Sequence, residues 1–166
     1  GYLDALIQMQ KRIYGRYFLE EMLTADIVEE MEKVYPTDPN PTTVLSPQAL
    51  YADYVLARQV TALERKEILE LLGTRHRVDL YTYDNNVSIP GVVNHGKIDY
   101  YDTMPYVFHN SKINLNITLR SIKSGIPLRA LDIMGCGGFL LTNYQMEYEE
   151  YFVAGEDYVF YEDYAD

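Results

Sequence analysis

The stretch SGIPLRALDIMGCGGFLLTNYQMEYEEYFVAGEDYVFYED, residues 124–163, contains the strongest indications of the fold. Pro127 is a residue type that favours the first turn of a helix, and the GCGG sequence at 135–138 favours its end. The largely apolar run from Phe139 to Thr142 then indicates a buried strand. A short helix that leads into a buried strand is the repeating unit of α/β proteins, so this stretch predicts an α/β fold.

Short strands alternate with turns and short helices from Arg77 onward, which predicts a Rossmann-like parallel sheet. The predicted strands are 78–82, 92–95, 113–117, 139–142 and 158–161, and the predicted helices are 103–109, 127–135 and 147–152. Ligands of open parallel sheets bind beyond the carboxyl ends of the strands. The loops at 82–86, 95–97, 118–127 and 143–145 are therefore expected along one edge.

The region before this sheet is predicted to be helical. Apolar residues at 3–18 recur at helical spacing, and Asp26 with Glu29 resembles the capping box of a second short helix. Prolines at 36, 39, 41 and 47 predict an extended connector over 36–46. We therefore divide the chain into a helical segment with its connector, 1–45, and a Rossmann-like domain, 46–166.

A long helix is expected directly after the connector. Ser46 has the side chain of an N-cap, Pro47 suits the first helical position, and Gly73 suits the end. The apolar positions between them recur with the spacing of one buried helical face.

Arg129 and Asp132 are the two charged residues of the predicted helix at 127–135. The first N–H groups of a helix have no partner within it and bind anions readily. Together with Arg129, the amides near Ile126 and Leu128 predict a site for a diphosphate, and Asp132 can accept from hydroxyls of the same ligand. A sugar nucleotide fits this combination. The simpler alternatives are an ion pair for Arg129 and an exposed helix face for Asp132.

Metal ligands are not indicated. The three histidines are isolated, none of them pairs at metal-ligand spacing, and no Asp-x-Asp occurs anywhere in the chain. His95, Gly96 and Lys97 fall in a predicted edge loop, where packing is the default interpretation and a role beside a ligand is the alternative. We predict no metal and no other cofactor.

Composition excludes several classes of function. A hydrophobic content of 48% predicts a globular fold, and a formal net charge of -11 opposes general binding to nucleic acid. The apolar runs are too short for a transmembrane segment. The single cysteine, Cys136, excludes an internal disulfide and favours a cytoplasmic location. The acidic, tyrosine-rich run at 147–166 is interpreted as a solvated face.

A family resemblance rests on SKINLNITLRSIKSGIPLRALDIMGCGGFLLTNYQ, residues 111–145, and EEYFVAGEDYVFYED, residues 149–163. These segments resemble the C-terminal, donor-binding half of the GT-B glycosyltransferases, in the branch grouped with spore maturation protein B. GYLDALIQMQKRIYG at 1–15 and HGKIDYYDTMPYVFHNS at 95–111 are similar to the same branch. The resemblance implies a nucleotide-sugar donor as substrate and an N-terminal acceptor domain as partner.

The resemblance also implies which residues bind the donor. The predicted substrate-binding residues are Ser124, Gly125, Ile126, Leu128, Arg129 and Asp132, with His95, Gly96 and Lys97. Many retaining members of the class carry two acids eight residues apart. Asp132 matches the second acid and Ser124 stands at the first position, so we predict neither a catalytic residue nor a stereochemical outcome.

Both ends of the family-like domain are expected to continue beyond this sequence. We therefore interpret the chain as a fragment of a glycosyltransferase that is inactive by itself. One alternative is a non-catalytic GT-B-like scaffold or interaction module, and a weaker one is a sugar-nucleotide epimerase on the same fold.

Overall fold

The computed structural model describes residues 1–13, 16–37 and 45–162. The chain divides into two compact units, residues 1–62 with 119–123 and residues 63–118 with 124–166. We call them the helical unit and the α/β unit. The predicted boundary between residues 45 and 46 stays a prediction. Among the described residues, no helix is both long enough and apolar enough to cross a membrane.

The helical unit is built from short helices that bury one apolar face each. Its elements are α1 (Tyr2–Arg12), α2 (Leu19–Met22), α3 (Ala25–Val34), α4 (Pro47–Leu50), a π-helix (Tyr51–Leu56) and the start of α5 (Ala57–Gly73). Helix α1 buries Leu6 and Ile7, and the π-helix buries Tyr51 and Leu56. Leu6 and Ile7 are neighbours in sequence, and Tyr51 and Leu56 are five residues apart, which is about one turn of a π-helix, so each pair lies on one side of its helix.

The first helix is shorter than predicted, because Gln10 stabilises a break after Arg12. The Gln10 side chain is 1% exposed, and its Nε2 donates to the carbonyl of Ile13 at 3.2 Å and to that of Arg16 at 2.8 Å. Its Oε1 accepts from the amide of Phe18 at 2.8 Å. One buried amide thus satisfies three backbone groups that a continuous helix would have paired internally. Residues 14 and 15 lie outside the described part of the chain.

The predicted capping box is wrong. Helix α3 begins at Ala25, its N-cap is Thr24, and no side chain caps it. The extended backbone of Thr24 already starts the helix two residues before Asp26, so Asp26 lies in the first turn, where its charge still suits the helix dipole. Of the predicted connector, residues 38–44 lie outside the described ranges.

The start of the long helix is confirmed. The Ser46 Oγ accepts from the amide of Ala49 at 3.1 Å, and Pro47 occupies the first helical position. Helical structure continues to Gly73, although the π-helix at Tyr51–Leu56 interrupts the α-helical hydrogen bonding. The sequence pattern did not predict this interruption.

The α/β unit confirms the predicted fold class. After α5 come β1 (Val78–Leu80), β2 (Val92–Asn94), α6 (Met104–Asn110), β3 (Asn114–Asn116), α7 (Leu128–Gly135), β4 (Leu140–Asn143), a 3-10 helix (Met146–Glu150) and β5 (Val159–Tyr161). Every strand pair is parallel, and α7 connects neighbouring strands β3 and β4, as in a Rossmann-like arrangement. Each of the five predicted strands overlaps an observed one.

Two details differ from the prediction. First, the strands form two sheets, β1-β2 and β3-β4-β5, instead of one. Second, the helix predicted at 147–152 is the 3-10 helix Met146–Glu150. In the larger sheet, Asn114 lies opposite Leu140 and Leu141 lies opposite Val159.

The core of the α/β unit lies between α7 and the larger sheet. Its buried members are Phe108, Ala130, Ile133, Leu140, Tyr148 and Tyr158. A Cβ on Gly138 would lie 2.6 Å from the carbonyl oxygen of Phe108, so only glycine allows this approach of backbone to backbone. Gly138 of the GCGG turn therefore has a packing role, in addition to the predicted end of the helix at Gly135. Ala130 and Ile133 of α7 face the core, whereas Arg129 is exposed and Asp132 is half-buried.

A layer of buried polar side chains lies at the carboxyl ends of β3 and β4. The Asn116 Nδ2 donates to the hydroxyls of Thr118 at 3.1 Å and of Thr142 at 3.0 Å. The Asn143 Oδ1 accepts from the amide of Thr118 at 2.8 Å. These side chains are at most 6% exposed. Buried polar groups need partners, and here they satisfy one another.

Replacing Thr142 tests this layer. Thr142→Val keeps the volume but removes the hydroxyl that accepts from Asn116, which retains Thr118 as a partner. We expect a loss of about 1 kcal/mol in the free energy of unfolding and a fall of about 2–4 °C in melting temperature. Thr103→Val, at an exposed position, is the control in the same thermal melt. Equal melting temperatures for both variants would contradict the role assigned to this layer.

Candidate functional site

The candidate site lies at the start of α7. Pro127 is the N-cap and Leu128 the first helical residue, with its side chain 78% exposed. The amide of Ala130 donates to the carbonyl of Pro127 at 3.0 Å. Within the described ranges, the amides of Gly125, Ile126, Leu128 and Arg129 donate to no other group. Two of these donors, the amides of Leu128 and Arg129, lie in the first turn of the helix, where its dipole favours negative charge.

The Arg129 side chain packs against two aromatic rings. Its Cζ lies 5.2 Å from the ring centre of Tyr100 and 5.5 Å from that of Phe108. Both distances are within the range of cation–π attraction. No carboxylate of residues 1–13, 16–37 or 45–162 forms an ion pair with Arg129, and no side chain there accepts a hydrogen bond from it. The guanidinium thus lies over two aromatic rings, and none of its N–H groups donates to a side chain of the described residues.

Asp132 follows Arg129 by three residues and lies on the same side of the helix. Its Oδ2 accepts a hydrogen bond from the hydroxyl of Tyr100. Asp132 is half-buried, so it is neither a fully solvated surface acid nor a core residue. One tyrosine therefore contacts both charged residues of the predicted site.

The segment before α6 sets the position of Tyr100. The Asp99 carboxylate accepts from the amides of Tyr101 at 2.9 Å and of Asp102 at 2.7 Å, which forms a local turn at this point. The ring of Tyr101 lies edge to face with that of Tyr100. The hydrogen bond to Asp132 raises the pKa of Tyr100, and burial and the negative charge of Asp132 act in the same direction. The phenol is therefore neutral at physiological pH and donates to the carboxylate.

The structure places the other residues predicted near α7 around its first turn. Ser124 and Gly125 are exposed, and Gly125 has a φ of 88° with open space around the position of a Cβ. Ile126 is half-buried and packs against the core of the α/β unit. The segment before the helix is therefore exposed at Ser124 and Gly125, and its Ile126 side chain packs against the core.

His95, Gly96 and Lys97 form a separate group beyond the smaller sheet. The His95 Nε2 lies 2.6 Å from Asp79 Oδ1, and its ring stacks on Tyr81. Lys97 lies over the ring of Tyr83, with 5.1 Å from its Nζ to the ring centre. Among the described residues, none of these contacts joins the group to α7. The hydrogen bond with His95 lowers the pKa of Asp79, and the nearby Arg77 acts in the same direction.

A hollow of about 350 Å³ occurs in the helical unit. It is lined by Tyr35, Pro36, Thr37, Leu50, Tyr51, Tyr54 and Val55. None of the predicted site residues lines it. None of the described residues that line it carries a charged side chain, so these residues offer no charged partner for a diphosphate.

The described part of the chain contains no group of three or more histidine, cysteine or acidic side chains that could hold a metal ion. The donors gathered around α7 are amides and a guanidinium, which suit an anion. Its one carboxylate, on Asp132, is bonded to a phenol.

Comparison with known protein families identifies one that matches this chain. The model of the glycosyl transferase-like family, Glyco_trans_1_2, matches residues 57–166, about two thirds of the chain. The chain belongs to the glycosyl transferase-like family. No curated protein and no solved structure matches it. The matched range contains α7, β4, the GCGG turn and all the residues predicted to bind a donor.

Sequence reasoning missed two aromatic residues of this family domain, Tyr100 and Phe108. Both lie in the segment DYYDTMPYVF at 99–108, which carried part of the resemblance but no assigned role. For Tyr100, the available signal was its place between Asp99 and Asp102, a residue type that forms turns, whereas Phe108 is a buried core residue that no local pattern singled out. Their contact with Arg129 and Asp132 arises only when α6 and α7 pack together.

Proposed function

We propose that this chain binds the nucleotide-sugar donor of a glycosyltransferase, in the branch grouped with spore maturation protein B. An acceptor domain of the same protein, outside this sequence, would hold the sugar acceptor. The family match supports the reaction class. The observation that carries the proposal is Arg129, whose guanidinium lies over Tyr100 and Phe108 close to backbone amides that donate to no described group. A cytoplasmic location belongs to the same proposal.

In this proposal, the guanidinium of Arg129 and the amides of Gly125, Ile126, Leu128 and Arg129 hold the diphosphate. Negative charge grows on the diphosphate as its bond to the sugar breaks, and donors that are already in place stabilise that charge without reorganising. Charge-assisted hydrogen bonds from a guanidinium can also be bidentate, which fixes the orientation of the leaving group. Tyr100 and Phe108 restrict the guanidinium before the ligand arrives, so less conformational entropy is lost on binding.

Asp132 is proposed to accept from the ribose hydroxyls. Its Oδ1 accepts from no group of the described residues, and its separation from Arg129 by one helical turn suits the step from diphosphate to ribose. His95, Gly96 and Lys97 are proposed beside the donor, with Lys97 as the group that supplies positive charge.

A non-catalytic scaffold is the second candidate function. Ser124 favours it, because this residue stands where retaining members of the class carry the first of two acids. A scaffold on the same fold would not bind nucleoside diphosphates. Nucleotide binding therefore separates the two candidates.

The test is calorimetric titration of the full-length protein with nucleoside diphosphates and nucleotide sugars, in magnesium and in EDTA. We expect binding with the same affinity in both buffers, since no Asp-x-Asp is present in the sequence to hold a metal on the diphosphate. Absence of binding to any member of the panel would favour the scaffold. A strict requirement for magnesium or manganese would place the missing ligands outside this chain.

A further inference from the structure

We propose that Tyr100 and Asp132 together form a binding site for a vicinal diol, with Tyr100 as a second residue that selects ribose. This inference rests on the proposed function and assigns a role to a residue that the sequence did not indicate. It starts from two contacts: the Tyr100 hydroxyl donates to Asp132 Oδ2, and the Tyr100 ring lies 5.2 Å from Arg129 Cζ.

The hydrogen-bonding capacity of the pair decides the ligand class. Once the Tyr100 hydroxyl has donated its proton to Asp132, its oxygen can only accept. The Asp132 carboxylate is acceptor-only when ionised, and its Oδ1 accepts from no group in the described ranges. Two neighbouring acceptors therefore lack donors. A vicinal diol supplies two donors on adjacent carbons, whereas the doubly esterified diphosphate of a nucleotide sugar carries no proton at neutral pH, so these acceptors favour ribose over the diphosphate.

The ring and the hydroxyl of Tyr100 have separable roles. The ring packs on Arg129, the proposed diphosphate ligand, and the hydroxyl bonds Asp132, the proposed ribose ligand. Tyr100→Phe removes only the hydroxyl, and Tyr100→Leu removes both contacts. Tyr106→Phe is the matched control, because Tyr106 lies on the adjoining helix α6 and is 71% exposed.

The first experiment compares ribonucleoside and 2′-deoxyribonucleoside diphosphates by calorimetry on the full-length protein. We expect Tyr100→Phe to weaken binding of the ribose ligand by about three- to tenfold and that of the deoxyribose ligand much less, since one hydrogen bond is lost. Tyr100→Leu should weaken both ligands by a further two- to fivefold, because Arg129 loses a packing surface. Tyr106→Phe should match the wild type.

Equal losses for the two ligands in Tyr100→Phe, or no loss, would overturn the diol assignment. A purely structural role would lower both affinities in parallel with the melting temperature. If the wild type binds no nucleoside diphosphate, the proposed function fails and the diol assignment fails with it.

A second experiment needs no ligand and reports on the hydrogen bond alone. Tyrosine labelled with ¹³C at Cζ is titrated by NMR. Asp132, Arg129 and Tyr101 are the titratable groups that act on Tyr100. The bond to Asp132 raises the pKa of Tyr100, so Asp132→Asn should lower that pKa towards its ordinary value. Asp102→Asn, in the same segment, should leave it unchanged. An unchanged pKa in Asp132→Asn would overturn the pairing on which the diol site depends.

Discussion

Arg129→Ala is expected to weaken binding of nucleoside diphosphates by tenfold or more while hardly changing the binding of nucleosides. Hydrogen bonds to charged groups contribute about 1.5–3 kcal/mol, and 1.4 kcal/mol corresponds to a factor of about ten. Arg129 makes no ion pair among the described residues, so its removal leaves no carboxylate without a partner. The loss therefore reports on the ligand. Calorimetry with matched nucleoside and nucleoside diphosphate measures it.

Two further variants sharpen this result. Arg129→Lys keeps the charge but loses the planar guanidinium that packs on Tyr100 and Phe108, so its affinity for the diphosphate should lie between those of the wild type and Arg129→Ala. Lys112→Ala removes an exposed positive charge elsewhere in the α/β unit and controls for net charge. Equal losses for nucleoside and diphosphate in Arg129→Ala, or equal losses in Lys112→Ala, would contradict the phosphate assignment.

Much of the α/β unit could be predicted because its signals are local. Pro127, the GCGG turn and the apolar run after it fix the ends of α7 and the place of β4 within a few residues. The predicted N-cap of α3 was wrong, although helix capping is also a local signal. Thr24 and Asp26 are both good capping residues two positions apart, and sequence alone does not decide between them.

Contacts between distant residues could not be predicted. Tyr100 and Asp132 are 32 positions apart, and Asn116 and Thr142 are 26 apart. Each pair meets only because α6 packs near α7 or because β3 pairs with β4 in one register. The separation of the strands into two sheets also depends on tertiary structure, because the periodicity of a sequence shows where a strand is and not which strand it pairs with. The site assignments stay predictions for the same reason, because they depend on a ligand that no local pattern identifies.

The pairing with Tyr100 changes what a mutation of Asp132 should do. A solvated helix residue could be replaced at almost no cost in binding. If Asp132 instead accepts from ribose, Asp132→Ala removes a charged acceptor from the ligand and also releases the Tyr100 hydroxyl. Tyr100 is 41% exposed, so water can replace Asp132 as its partner and the protein should remain folded.

We therefore expect Asp132→Ala to cost about 1.5–3 kcal/mol in binding of a ribonucleoside diphosphate and much less for the 2′-deoxy ligand. Asp132→Asn should cost less than alanine, because its amide oxygen still accepts while the negative charge is lost. A double cycle of variant and ligand isolates the coupling between the carboxylate and the ribose hydroxyl from any general damage to the fold. Identical losses for ribose and deoxyribose ligands would show that Asp132 serves only to hold Tyr100, since its carboxylate would then make no contact that depends on the sugar.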